Sequence, residues 1–301
     1  MIDFQDRVAV VTGAGGGLGR AHALLLASRG AAVVVNDLGG SVHGEGASSS
    51  AADDVVAEIR GAGGEAVAEH SSVATPEGGA AIVAKAIDEY GRIDIVVNNA
   101  GILRDRSFAN MEWSEKQAVF DVHLRGAFYV TRPAYRHMKE AGYGRIVMTS
   151  SASGLFGNFG QANYGAAKAG LVGLMNVLKL EGAKYNIKVN AIAPIAHTRM
   201  TEELLGDMAD RFDPASVAPA VAYLCSEECE STGDIWSVGG GSVSRIFIGL
   251  CDGYFQHPDD EGPLTIEDVA ENLNLIRSED GYIVPFSSQD EFAKLGPRLL
   301  G

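Results

Sequence analysis

The chain has 301 residues, 46% of them hydrophobic, which is enough to bury one large core within the ordinary globular range. Its 39 acidic against 24 basic residues give a formal net charge of -15, which repels phosphate backbones and anionic lipid and argues against a nucleic-acid partner. Cys225, Cys229 and Cys251 are too few for a disulfide framework and have no nearby Cys or His pair to complete a metal site, so buried thiols, a reducing compartment and no metal are expected.

The N-terminal MIDFQDRVAV lacks a basic leader region and no long apolar run follows, so a cytoplasmic protein without membrane insertion is expected. A first strand, Val8 to Val11, runs into TGAGGGLGRA and a helix from Leu18 to Ser28. The glycines do not match G-x-G-x-x-G, but Gly13, Gly17 and Gly19, with Leu18 between the last two, follow G-x-x-x-G-x-G. Strand, glycine turn and helix start together present N–H groups and a positive dipole to a pyrophosphate. The Lys-Ser/Thr pair that a triphosphate loop requires is missing.

The second strand, Ala32 to Asn36, leads to Asp37, 18 residues beyond Gly19. A carboxylate there accepts hydrogen bonds from the adenosine ribose and repels a 2′-phosphate, so NAD is favoured over NADP. Next comes GGSVHGEGASSS, Gly39 to Ser50, an irregular segment at a strand's carboxyl end and therefore near any ligand crevice.

Alternation continues with a helix over Ala51 to Ala62, a strand over Ala66 to Glu69, a helix over Gly79 to Tyr90 and a strand over Ile93 to Asn98. A polar helix from about Ser114 precedes a strand at Arg145 to Thr149, a helix around Tyr164 to Glu181, and strands at Lys188 to Ile192 and Asp234 to Val238. This order predicts an α/β fold, a Rossmann-like doubly wound parallel sheet of about seven strands with helices on both faces, over residues 1–245. Residues 246–301 read as a C-terminal extension packed on the same domain, with one helix capped at Thr265.

Before the Tyr164 helix lies SSASGLFGNFGQANYGAAKAG. Tyr164 and Lys168, at i and i+4, share a helix face. A phenol titrates near 10, but an adjacent ammonium and a positively charged nicotinamide both favour phenolate, which makes Tyr164 a usable base. Ser151, at a strand end, can hold a substrate oxygen beside it. Taken singly, the three could be a half-buried tyrosine, a solvated lysine and a turn serine.

TGAGGGLG, NNAG at Asn98 to Gly101, Ser151 with Tyr164-x-x-x-Lys168, and APIAHT resemble, in this order, the short-chain dehydrogenase/reductase family. VVVNDLGG, NNAGILRDRSF, VHLRGAF and GNFGQANY are similar to the (3R)-hydroxyacyl-CoA dehydrogenase unit of peroxisomal multifunctional enzymes and to bacterial 3-hydroxyacyl-CoA dehydrogenases of fatty-acid or steroid side-chain degradation. The resemblance implies an enzyme that uses NAD to oxidise an acyl-CoA substrate, as a homodimer or homotetramer.

It also implies cofactor contacts at Asn98, Ser72, Val73, Ala196, His197 and Thr198 as well as at Tyr164 and Lys168, and a mobile lid along TRMTEELL. Where many relatives place an asparagine that anchors a relay water, this chain has His123, which is either a structural helix histidine or a holder of the same water that titrates near 6.5 and adds a pH dependence. Arg104 and Arg106 are candidates for a CoA phosphate, unless solvated or paired with Asp105. Rival readings are an NADPH-dependent 3-ketoacyl-carrier-protein reductase, a 17β-hydroxysteroid dehydrogenase and an inactive nucleotide-binding redox sensor.

Overall fold

The computed structural model of the chain describes residues 1–198 and 210–300. Eight strands form one sheet in the order β3-β2-β1-β4-β5-β6-β7-β8. They are β1 (Val8–Thr12), β2 (Ala32–Asn36), β3 (Glu65–Glu69), β4 (Ile95–Asn98), β5 (Gly144–Thr149), β6 (Ile187–Pro194), β7 (Ile235–Gly239) and β8 (Ser242–Ile246). Strands β1 to β7 pair in parallel. Their β-branched runs are buried without alternation, as expected for strands covered on both faces.

The eighth strand exceeds the expected seven. Its sequence SVSRI is exposed at four of five positions and carries no buried periodicity, and it returns from β7 through a two-residue Gly240-Gly241 turn.

One face of the sheet packs the apolar sides of α1 (Gly17–Ser28), α2 (Ser50–Gly61) and α8 (Ala218–Cys225) around Leu26, Val55, Ile59, Val221 and Leu224. The other carries α3 (Pro76–Tyr90), α5 (Gly126–Ala141) and α7 (Ala162–Gly182). Thr75 caps α3 by accepting from the Gly78 amide.

The expected polar helix is α4 (Trp113–Phe120), which enters α5 through a π-helical turn, Asp121–Arg125. Such a turn inserts one residue and marks functional sites more often than chance. A short α6 (Ala152–Leu155) separates β5 from α7.

After β2 and β3 the chain returns to the other side of β1, so the strand order reverses between β1 and β4 and a crevice opens at their carboxyl ends.

The chain divides into two compact units, Met1–Arg245 and Ile246–Gly301. The second contains α9 (Pro258–Glu261), α10 (Ile266–Glu271), α11 (Leu273–Ile276) and α12 (Ser288–Leu300), with Leu250 bridged to Ile283. Thr265 caps α10 in a reciprocal capping box with Asp268; the one expected helix is divided at Asn272 into α10 and α11, and α9 and α12 were not expected. Gly296 and Pro297 read as helix breakers, yet both lie inside α12. Among the described residues no helix is long and apolar enough to cross a membrane.

Candidate active site

A cleft of about 470 Å3 lies at the switch between β1 and β4, inside the range of cofactor sites. On one wall are Gly13, Gly17 and Leu18. The N-cap of α1, Gly16, offers no side-chain cap, so its first amides face the cleft with only backbone around them. Gly19 stands behind, where a Cβ would overlap the Gly13 carbonyl oxygen and approach Asn99 Nδ2 at 2.6 Å. Only glycine lets α1 start this close to the turn.

Asp37 closes the turn from the side. Its Oδ2 accepts from the Gly15 amide at 2.8 Å and its Oδ1 from the Gly39 amide at 2.6 Å. The carboxylate is thereby fixed in the cleft wall with lone pairs to spare.

Next to it Asn36, in register with Glu69, donates through Nδ2 to Glu69 Oε2 at 2.7 Å and to the Ser71 carbonyl at 2.9 Å. This network was not foreseen. It holds the turn that places Ser71, Ser72 and Val73 in the cleft wall.

The NNAG segment needs a correction. Asn98 faces away from the cleft, buried, and its Nδ2 donates to Thr131 Oγ1 at 2.9 Å. Asn99 is the residue in the wall, donating to the carbonyls of Thr12 and Gly13 at 3.0 and 3.1 Å, while Thr12 Oγ1 accepts from the amides of Asn99 and Ala100. The doubled asparagine was the available signal, but which member faces the ligand depends on how β4 ends.

Ser151, Tyr164 and Lys168 meet on the same cleft. Ser151 lies two residues past the end of β5 and caps α6, with Oγ accepting from the Ser153 amide at 3.1 Å. The first turn of α7 carries Tyr164, half-buried, with its amide bound to Asn163 Oδ1 at 2.7 Å. Buried Lys168 donates to the Thr149 carbonyl at 2.5 Å, and its Nζ lies 5.5 Å from the Tyr164 ring centre.

Burial pushes the Tyr164 phenol up, while its interaction with the Ser151 hydroxyl pulls it down and Asp105 adds a smaller upward push. Lys168 is drawn down to about 7 by burial. The expectation joined the Lys168 ammonium to a nicotinamide charge; within the protein itself Lys168 is not among the causes that shift Tyr164. The lysine is itself desolvated, and hydrogen bonding from Ser151 is what opposes the burial of Tyr164.

His123 sits in the π turn, buried, with its ring edge-on to Tyr164 at 5.2 Å and 88°. Its Nε2 faces the Ile102 amide at 3.0 Å and the Ile102 carbonyl at 2.8 Å, accepting from the first or donating to the second. Burial, then the nearby Lys168 charge, lower it to about 3. The expected titration near 6.5 is overturned, because the imidazole has no room for a charge. A Cβ on Gly101 would overlap His123 Cε1, so the two residues fit only as a pair.

Ala196 and Thr198 line the cleft, whereas His197 does not; its amide donates to the Phe212 carbonyl at 2.6 Å. The expected lid lies outside the described residues from Arg199 onward. Arg104 pairs with Glu45 at 3.3 Å and Arg106 with Glu115 at 2.9 Å, while Asp105 accepts from Gln161 instead of either arginine. Both arginines thus carry an acidic partner, with Arg106 half-exposed. Among the described residues no group of three metal-ligating side chains exists.

A glycine turn at an uncapped helix start, a carboxylate just past the end of β2 and a serine–tyrosine–lysine set across the crevice are the parts that a nicotinamide-dependent oxidoreductase requires. The short-chain dehydrogenase model matches residues 7–209, and the chain belongs to that family.

It is 57% identical over 244 residues to the mouse peroxisomal multifunctional enzyme type 2, covering 81% of this chain and 33% of that one. It is 56% identical over 271 residues to the short-chain type dehydrogenase/reductase Rv0148 of Mycobacterium tuberculosis, covering 90% and 93% of the two chains. The full-length peroxisomal multifunctional enzyme type 2 of Drosophila melanogaster superposes with a TM-score of 0.83 at 41% identity, over 99% of this chain and 50% of that one. The chain thus spans about a third of the mouse enzyme and half of the Drosophila one.

Proposed function

We propose that the chain is an NAD-dependent 3-hydroxyacyl-CoA dehydrogenase, oxidising a fatty or steroid side-chain thioester to its 3-ketoacyl form. The observation that carries this is the meeting of Ser151, Tyr164 and Lys168 on a cleft whose far end holds Asp37. The acyl-CoA part is supported by 40% identity over 260 residues to the hydroxyacyl-CoA dehydrogenase ChsB1 of Mycobacterium tuberculosis.

When bound, NAD+ supplies the hydride acceptor. Ser151 holds the substrate hydroxyl and, through its own hydroxyl, eases Tyr164 toward phenolate. Tyr164 takes the hydroxyl proton as the carbonyl forms. Lys168, fixed on the Thr149 carbonyl, binds the ribose side of the cofactor and lies close enough to share the proton's charge. Asp37 accepts from the adenosine ribose and excludes a 2′-phosphate. The same reading takes the protein as a cytosolic homo-oligomer.

Initial rates with 3-hydroxyacyl-CoA esters of several lengths and with free hydroxysteroids, each with NAD+ and NADP+, test the assignment. The expected result is thioester oxidation with NAD+. Preference for NADP+ would favour the ketoacyl reductase, and activity on free steroids alone would favour the hydroxysteroid dehydrogenase. Tyr164→Phe is expected to lower kcat by about a hundredfold or more while NADH binding persists. Persistent turnover would remove Tyr164 from the chemistry.

A further inference from the structure

Residues Leu38 to Ser48 do not simply border the cleft. Strand β2, where they start, and the segment after β4, where they dock, lie on opposite sides of β1, so they cross above the glycine turn. Their own fold is held by Ser41 N to Glu45 O at 2.8 Å and Ser48 N to Leu38 O at 3.0 Å. At the crossing point the Leu103 amide donates to the Val42 carbonyl at 2.9 Å, and His43 Nδ1 donates to the Leu103 carbonyl at 3.1 Å. Arg104 then grips the far side, with Nε donating to the His43 carbonyl at 2.7 Å and Nη2 pairing with Glu45.

We infer that this segment is a clamp that retains the dinucleotide and that Arg104 is the positioning residue that latches it. The inference rests on the nicotinamide-cofactor reading above. Both ends of the clamp touch groups assigned to the reaction. At its start the Gly39 amide binds Asp37 Oδ1, so the residue that meets the ribose also tethers the clamp. At its end the Arg104 carbonyl accepts from Asn163 Nδ2 at 2.8 Å, and Asn163 Oδ1 accepts from the Tyr164 amide.

A dinucleotide seated on the glycine turn would lie beneath the clamp, with Gly40 to Gly44 on one side and Gly101, Ile102 and Arg104 on the other. It can leave that way only if the contacts at Leu103 and Arg104 open. The charge-assisted bonds from Arg104 are the strongest of these.

The test is stopped-flow NADH fluorescence on the full chain, with Arg104→Ala and Glu45→Gln beside the parent and with hydrogen exchange of residues 39–48. Arg104→Ala is expected to release NADH about tenfold faster, from the loss of its contacts to the His43 carbonyl and to Glu45, and to abolish the NADH-induced slowing of exchange in the clamp. Glu45→Gln, at an exposed carboxylate that does not threaten folding, is expected to speed release about two- to threefold.

Release and exchange unchanged in both variants would overturn the clamp. Absence of NADH binding to the parent would instead overturn the cofactor reading on which it rests.

Discussion

Three buried groups make this protein's stability depend on pH in one direction. His22 lies in α1 with both ring nitrogens buried and without hydrogen-bond partners, and burial lowers it to about 3. His123 is lowered to about 3 as well. Between roughly pH 3 and 6.5 the unfolded chain binds protons that the folded chain refuses, so stability is lost as pH falls through that window.

At pH 5 each histidine costs about 2 kcal/mol. Lys168, lowered to about 7 from an ordinary 10.5, acts likewise higher up, and its burden eases as pH rises through that interval. His22→Leu is therefore expected to raise Tm at pH 5 more than at pH 7, and equal gains at both would show that the histidine is not held neutral. The residue-scale lesson is that Lys168 lowers the stability of the protein it serves, as active-site groups commonly do.

At the scale of elements, the π turn and the segment after β4 are one fitted unit. The extra residue in Asp121–Arg125 sets His123 against Ile102 and Tyr164, and Gly101 leaves room for its ring. Gly101→Ala alone is expected to destabilise by about 1–3 kcal/mol through overpacking, and His123→Ala alone by a similar amount through the lost bond and cavity. The double variant should be more stable than the sum implies, since the added methyl then occupies space that the ring vacated. Denaturant midpoints of the four proteins measure this, and strict additivity would separate the two residues.

How much of this was legible beforehand follows from the range over which each feature is encoded. The glycine turn, Asp37 and the Ser151, Tyr164 and Lys168 spacing depend on short stretches of chain, and the structure places all of them on one cleft. Asn99, the Asn36–Glu69 network and the grip of Arg104 on the His43–Glu45 turn depend on strand register and on contacts 33 to 87 residues apart. The spacing of Asn98 and Asn99 could not say which side chain would turn toward Thr131.

For the molecule as a whole, the two units differ in kind. Met1–Arg245 holds the core, whereas none of the described residues of Ile246–Gly301 is buried. Ile266, Phe292 and Leu300 there are 84, 73 and 88% exposed. A unit of this size without a core has little to hold it together alone. A peptide of residues 246–301 is expected to show no cooperative thermal transition by circular dichroism, and a sharp transition would contradict this. Self-association covers exposed apolar side chains of this kind, so light scattering of the full chain is expected to report more than one copy per particle.

The double tether of Asp37 has a consequence for anyone wishing to re-engineer cofactor preference. In a simpler site an acidic side chain can be exchanged for a neutral one, with an arginine beside it to welcome the extra phosphate. Here the same carboxylate also ties down the amides of Gly15 and Gly39. Removing it unfastens the glycine turn and the root of the clamp together, so a swap at this position alone sacrifices the old cofactor without preparing a seat for the new one. Redesign has to supply those two backbone amides with another acceptor first.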